Sequence, residues 1–444
     1  MNLRRLRFPL VPSLSLPMKS TPILCALVCA TFHVGVLAQD LVAIRAGKVF
    51  TITGPAIDNG VILVKDGRIE AVGSGIEVPW NAKVVDAHDK VVMPTWVLAH
   101  SAAGLGGGNN ERMQNVPFLT VADGIDPSSL AFEEGLRNGV GVANVMPGNS
   151  TLVAGGGMIA RFVGRTVEEM TLRAKSGLKL SLATGQGNVV AQIREMRRVL
   201  EDAENVRKDL ERKREEWKKM KDAGATKEDA FKEEPDETKK PLVDLIEGKL
   251  IGWLYVPGTA ELAEVARLKE KYASMKLVLI LGPRCYKAAA DVKALGFPIV
   301  LDDESLEFRE TDPETGDEKV VSPAKVFADA GVEFAISISD DIRGPNHYPW
   351  WQLATMVRHG IDRDAALRSL TVVPARILGM ESDLGTIAAG RAADLQVLTG
   401  DPFQATSWVD TVMLDGQIVY ERSKDQRLQM LFDKKAEAKT EGAK

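Results

Sequence analysis

Two hairpin signals stand at opposite ends of the chain. Near the start, Val61-Ile62-Leu63-Val64 and Ile69-Glu70-Ala71-Val72 flank Asp66-Gly67; near the end, Thr411-Val412-Met413-Leu414 and Ile418-Val419-Tyr420 flank Asp415-Gly416. An Asp-Gly pair between β-prone runs is a strong short-range hairpin signal, because both central residues of the tight turn need positive φ. A lone hairpin is marginally stable in water, so the two ends are expected to share one small β-sandwich. Its N-terminal part covers residues 39–92 and its C-terminal part residues 381–422.

The middle, residues 93–380, alternates apolar strand runs with helical stretches. Strand runs include Lys90–Leu98, Gly139–Gly148, Leu178–Leu182, Leu250–Val256, Lys276–Gly282, Phe297–Asp302 and Val332–Asp340. Ile125–Asn138 reads as a helix entered through Asp126-Pro127, and Trp350–Leu378 as a helix pair. This is the pattern of βα units, and it predicts an α/β fold: a (β/α)8 TIM-like barrel beside the composite β-sandwich. A length of 444 residues at 45% hydrophobic composition accommodates a barrel of about 250 residues plus a smaller domain.

Residues 189–240 read as a charged insertion. Ile193, Met196, Leu200, Ala203, Val206, Leu210, Trp217 and Met220 recur at helical spacing over residues 189–221, and the other faces mix Lys/Arg with Glu/Asp. That pattern suits a solvated arm or a dimer contact, followed by a flexible loop over residues 222–240. Glu304–Val320 is expected to be an exposed loop, and residues 423–444 a frayed, charged tail. With 56 basic against 61 acidic residues, nothing draws the chain toward nucleic acid.

At the N-terminus, basic residues precede an apolar run from Pro22 to Leu37 and the small-residue site Val36-Leu37-Ala38. This order predicts a signal peptide over residues 1–38, starting at Met1 or Met18, and an exported protein of the periplasm or the extracellular space, with no membrane attachment after cleavage. Cys25 and Cys29 leave with it, so Cys285 has no partner for a disulfide and reads as a small buried hydrophobe.

Lys90–Gly108 is the stretch that bears on chemistry. An apolar strand there runs through Pro94 into His100 and a Gly-rich loop. It resembles the first barrel strand of the amidohydrolase superfamily, with the imidazolonepropionase-like branch nearest. Asp383–Phe403 (DLGTIAAGRAADLQVLTGDPF) and Thr371–Gly379 (TVVPARILG) are similar to motifs of the same family. Asp394, inside the first of these, belongs to the β-domain rather than to catalysis.

The resemblance implies hydrolysis of non-peptide C–N bonds by one or two divalent metals. The ligands would be two His on strand one, a Lys or Glu on strand four, single His on strands five and six, and an Asp ending strand eight. Here Ser101-Ala102 follows His100, so one imidazole of the first pair is missing, and no His occurs between His100 and His347. By the resemblance, Asp340 is the catalytic Asp and a metal ligand, Lys179 stands at the bridging-lysine position, and His347 lies close enough to be recruited. Tyr255 stands at the strand-five position and Arg284 at the strand-six end, both as substrate-binding candidates. A strand lysine such as Lys179 can also be just a solvated edge residue, and His347 just an exposed loop residue.

Two readings follow. One is a metal-dependent C–N hydrolase. The other is a non-catalytic relative that binds a small molecule, forms a homo-oligomer or pairs with an active homologue. The missing imidazoles favour the second and predict no cofactor, or one weakly held zinc-like divalent metal. A Ser101–His347–Asp340 hydrolase ranks below both, since no G-x-S-x-G elbow surrounds Ser101.

Overall fold

The computed structural model describes residues 41–106, 115–183, 188–222, 236–339 and 344–431. The expected signal peptide, Asp340 and most of the charged tail lie outside the described residues, as do residues 223–235 of the expected loop. The described residues form one compact unit.

Four strands come first: β1 (Leu41–Val49), β2 (Ile57–Lys65), β3 (Arg68–Ser74) and β4 (Lys83–Pro94). The barrel follows with β5 (Trp96–Ser101), β6 (Val140–Val145), β7 (Val153–Arg161), β8 (Thr171–Ser181), β9 (Ile251–Val256), β10 (Lys276–Leu281) and β11 (Ile299–Leu301). A small hairpin, β12 (Phe308–Thr311) with β13 (Glu318–Val321), interrupts it before β14 (Phe334–Ile336). Last come β15 (Leu395–Leu398), β16 (Val409–Leu414) and β17 (Gln417–Glu421).

The two ends of the chain share one seven-stranded sheet, in the order β17-β16-β15-β4-β1-β2-β3. Antiparallel pairing of β15 with β4 joins the C-terminal segment to the N-terminal one. Both Asp-Gly turns form as the sequence requires, with φ of +50° and +80° at Asp66-Gly67 and +48° and +74° at Asp415-Gly416. The turns also touch: a Cβ placed on Gly416 would lie 2.9 Å from the Gly67 Cα. Arg161 of the barrel ties in beneath them, donating to Asp415 at 2.7 Å and facing the buried Asp394 carboxylate at 3.4 Å.

The barrel sheet runs β14-β11-β10-β9-β8-β7-β6-β5, and β14 lies alongside β5 to bring it nearly closed. Its side chains alternate as a barrel demands. Val97, Val142, Ile159, Trp253, Val278, Ile280, Val300 and Ala335 fill the interior, while Leu98, Leu178, Leu180, Leu254 and Leu279 pack outward against the helices. Trp253 fits because Gly177 opposes it. A Cβ there would meet the indole at 2.5 Å, and the Gly177 φ of +147° is one that L residues avoid.

Several elements differ from expectation. The third strand, β7, runs antiparallel to β6 and β8, so the barrel is not uniformly parallel. The helix expected from Asp126 begins at Leu130, because Asp126 accepts from the Ser128 N–H in a preceding turn and Ser129 is the N-cap. Trp350–Leu378 holds three helices rather than two, broken at residues 359–362 and 370–371. The segment expected as a loop over residues 304–320 contains the β12–β13 hairpin. The tail is ordered at its start: Asp425 is buried, holds Arg137 Nε at 2.7 Å, and leads into a helical turn over residues 426–431.

The charged insertion opens with a 34-residue helix, Val189–Asp222. Only Met196, Val199, Leu200 and Ala203 are buried, so its first half packs on the barrel. From Glu211 onward its residues are exposed apart from a half-buried Trp217.

Candidate functional site

The inward positions at the C-terminal ends of the strands change from aliphatic to polar. His100 is the next-to-last residue of β5, Lys179 lies on β8, Tyr255 on β9, and Asp302 follows β11. Strand alternation brings Lys179 inward, because Leu178 and Leu180 both face the helices. It is 0% exposed, which rules out the solvated edge position open to it from sequence.

Lys179 Nζ lies 2.9 Å from His100 Nε2 and donates to Asn149 Oδ1 at 2.6 Å. It also stands 5.9 Å from the centre of the Tyr255 ring. Burial pushes the Lys179 amine down to about 7, against a smaller upward pull from the Asp302 carboxylate. Burial, then the Lys179 charge, hold His100 well below the usual histidine range, so its imidazole is neutral. A neutral imidazole accepts through the nitrogen that faces the amine, which places its proton on Nδ1. Burial is also the leading cause that raises the Asp302 carboxyl, followed by its hydrogen bond and charge contact with Asp303. The Tyr255 phenol is pushed up by burial and then by Asp302.

The other sequence candidates lie apart from this cluster. His347 is buried rather than exposed, with Nδ1 2.9 Å from the Ser339 carbonyl and its ring edge-on to Tyr348. No hydrogen bond joins it to His100 or Lys179 among the described residues. Arg284 is exposed on the turn after β10 and lines a separate surface groove. Cys285 beneath it is buried, donating to the Val256 carbonyl at 3.3 Å. Ser101 caps the Ala103 N–H at 3.1 Å. Two members of the cluster, Asn149 and Asp302, were not singled out from sequence; an acid closing the apolar run Phe297–Leu301 was the available signal for Asp302.

Of the metal ligands the resemblance implies, His100 and Lys179 come together among the described residues, and Asp340 lies outside them. A zinc site needs about three N, S or O ligands and an open position. Here the only imidazole at the centre turns its free nitrogen onto Lys179, and no group of three or more His, Cys, Asp or Glu side chains converges among the described residues. What the cluster offers is a buried amine between two acceptors, beside an acid and a phenol.

A nearly closed eight-stranded α/β barrel with a composite terminal sheet and polar groups at the C-terminal ends of its strands defines a TIM-like barrel, a class whose functional sites gather at that end. Residues 295–419 match the Amidohydrolase family. Among solved structures, an amidohydrolase from Thermotoga maritima MSB8 is similar at 27% identity with a TM-score of 0.73, over 86% of this chain and 100% of that one. An adenosine deaminase from Xanthomonas campestris, solved with bound zinc, shares the fold at 15% identity and a TM-score of 0.50, over 90% of this chain and 98% of that one. No curated protein matches. The chain is thus similar to amidohydrolases in sequence over residues 295–419 and in fold over most of its length.

Proposed function

We propose that this chain is an exported, non-catalytic amidohydrolase relative that binds a small molecule at its barrel mouth or pairs with an active homologue. The observation that carries the reading is the Lys179 amine at 2.9 Å from His100 Nε2, which engages the imidazole a metal would need. The charge pattern and the N-terminal segment support an extracytoplasmic small-molecule role over a nucleic-acid or membrane one.

Resemblance to the amidohydrolases favours a second reading, a metal-dependent hydrolase of C–N bonds, with Asp340 as the proton acceptor. Elemental analysis after expression in zinc-supplemented medium, followed by assays on amide and cyclic-imide substrates, separates the two. The non-catalytic reading expects no stoichiometric metal and no turnover. Near one metal per chain, with activity lost in His100→Ala, would overturn it.

A further inference from the structure

A second site lies at the barrel rim, apart from the Lys179 cluster. A groove of about 570 Å³ is walled by the start of the helix Thr259–Lys271, the turn after β10 and the strand β12. These elements follow β9, β10 and β11, so the groove sits at the end of the barrel where ligands of such folds gather.

Most charges around it are already paired. Lys287 and the Tyr286 hydroxyl both engage Glu310, and Arg309 meets Glu318 at 3.1 Å. Two are not. Glu261 is 5% exposed, lines the groove, and has neither a hydrogen bond nor an ion pair among the described residues. Arg284, on the same groove, is also without an ion-pair partner there.

An acid in the first turn of a helix can be explained by the helix dipole alone. That explanation expects the carboxylate to cap a first-turn N–H, and no side chain caps this helix. A carboxylate so nearly buried is rare without a cation beside it, since burial removes its hydration. Gly258 leaves room in the groove beside the Glu261 carboxylate and the root of the Arg284 side chain: a Cβ there would lie 3.3 Å from Glu261 Oε2 and 3.8 Å from the Arg284 Cβ. The gap is not forced by backbone strain, because Gly258 is extended at φ −164° and alanine adopts that conformation.

We propose that this groove binds a small zwitterion of the amino-acid or dipeptide class, its ammonium on Glu261 and its carboxylate on Arg284. One unpaired acid and one unpaired arginine lining the same groove match a ligand carrying both charges. A simple anion would leave Glu261 unpaired, and a simple cation would leave Arg284 unpaired. The site stands whether or not the barrel centre is catalytic.

The test is ligand-observed saturation-transfer NMR on the full purified chain, with the common L-amino acids and glycylglycine as probes, each beside its N-acetyl and methyl-ester forms. At least one zwitterion should bind, and its blocked forms should not. Glu261→Gln and Arg284→Gln should each weaken that binding by about tenfold or more while the melting temperature stays within about 2 °C. Gly258→Ala, which fills the gap without straining the backbone, should do the same and decides the matter if either other variant fails to fold. Binding by none of the zwitterions, equal binding of the blocked forms, or a bound zwitterion indifferent to these substitutions would overturn the proposal.

Discussion

Replacing Lys179 with methionine tests the reading of the barrel centre most directly. The amine is fully buried and is pushed from 10.5 down to about 7. Between those values the unfolded chain holds a proton that the native chain has released, so native stability rises with pH across the window and levels off above it. Below about 7 both states are protonated and the native state bears the cost of a buried charge. At ~1.4 kcal/mol per pH unit, the rise is at most about 5 kcal/mol. Lys179→Met abolishes the rise and leaves His100 Nε2 and Asn149 Oδ1 without their partner, at about 1–3 kcal/mol each. At pH 6 that loss is offset by removal of the buried charge, so the two proteins should be close in stability; by pH 10 the variant should be several kcal/mol weaker. Urea unfolding followed by tryptophan fluorescence, from pH 6 to pH 10, measures the difference. Other lysines and tyrosines titrate in the same range, but they do so in both proteins and cancel. Asp302 works in the opposite sense, since its raised carboxyl keeps a proton in the native state and costs stability as pH rises. Repeating the pair in an Asp302→Asn background isolates the lysine. A wild-type minus variant difference that stays flat from pH 6 to pH 10 would refute a neutral buried amine at this position.

Arg161→Ala should cost about 3 kcal/mol in urea unfolding, because it strands the buried Asp394 carboxylate between barrel and sheet; a loss under about 1 kcal/mol would show that Asp394 is carried by the Asp415 N–H alone. EDTA or added zinc should leave the melting temperature within about 1 °C, and a larger chelator effect would point to a resident metal. Edman sequencing of native protein should begin at Gln39; a retained Met1 or Met18 would remove the basis for export.

Much of the architecture was legible because its signals are local. Asp66-Gly67 and Asp415-Gly416 dictate their turns through backbone φ alone, and apolar runs such as Lys276–Leu281 admit little but a strand buried on both faces. The reversal of β7 was not legible. Strand direction is settled by which neighbours it pairs with, and a short glycine-rich run carries no mark of its polarity. The start of the helix Leu130–Arg137 went astray for a different reason: Asp126, Ser128 and Ser129 are all capping residues, and sequence alone does not rank three adjacent caps.

At the site, family resemblance picked out His100 and Lys179 but could not say that they would face one another at hydrogen-bond distance. Asn149 left no trace, because it lies in the loop between β6 and β7 and acts through a contact thirty residues away in sequence. The burial of Lys179, however, was recoverable from physics. In a barrel whose strands are covered by helices outside and by each other inside, neither face of a strand meets water. Leu178, Leu180 and Leu182 alternate with Lys179 and Ser181, and the leucines claim the helix-facing side. The lysine then has only the barrel interior to enter, where an amine must find acceptors or give up its proton; Asn149 and His100 supply the acceptors, and burial presses the amine toward neutrality. The expectation of a solvated edge residue failed because it priced the lysine by its own side chain and ignored what its neighbours on the strand require.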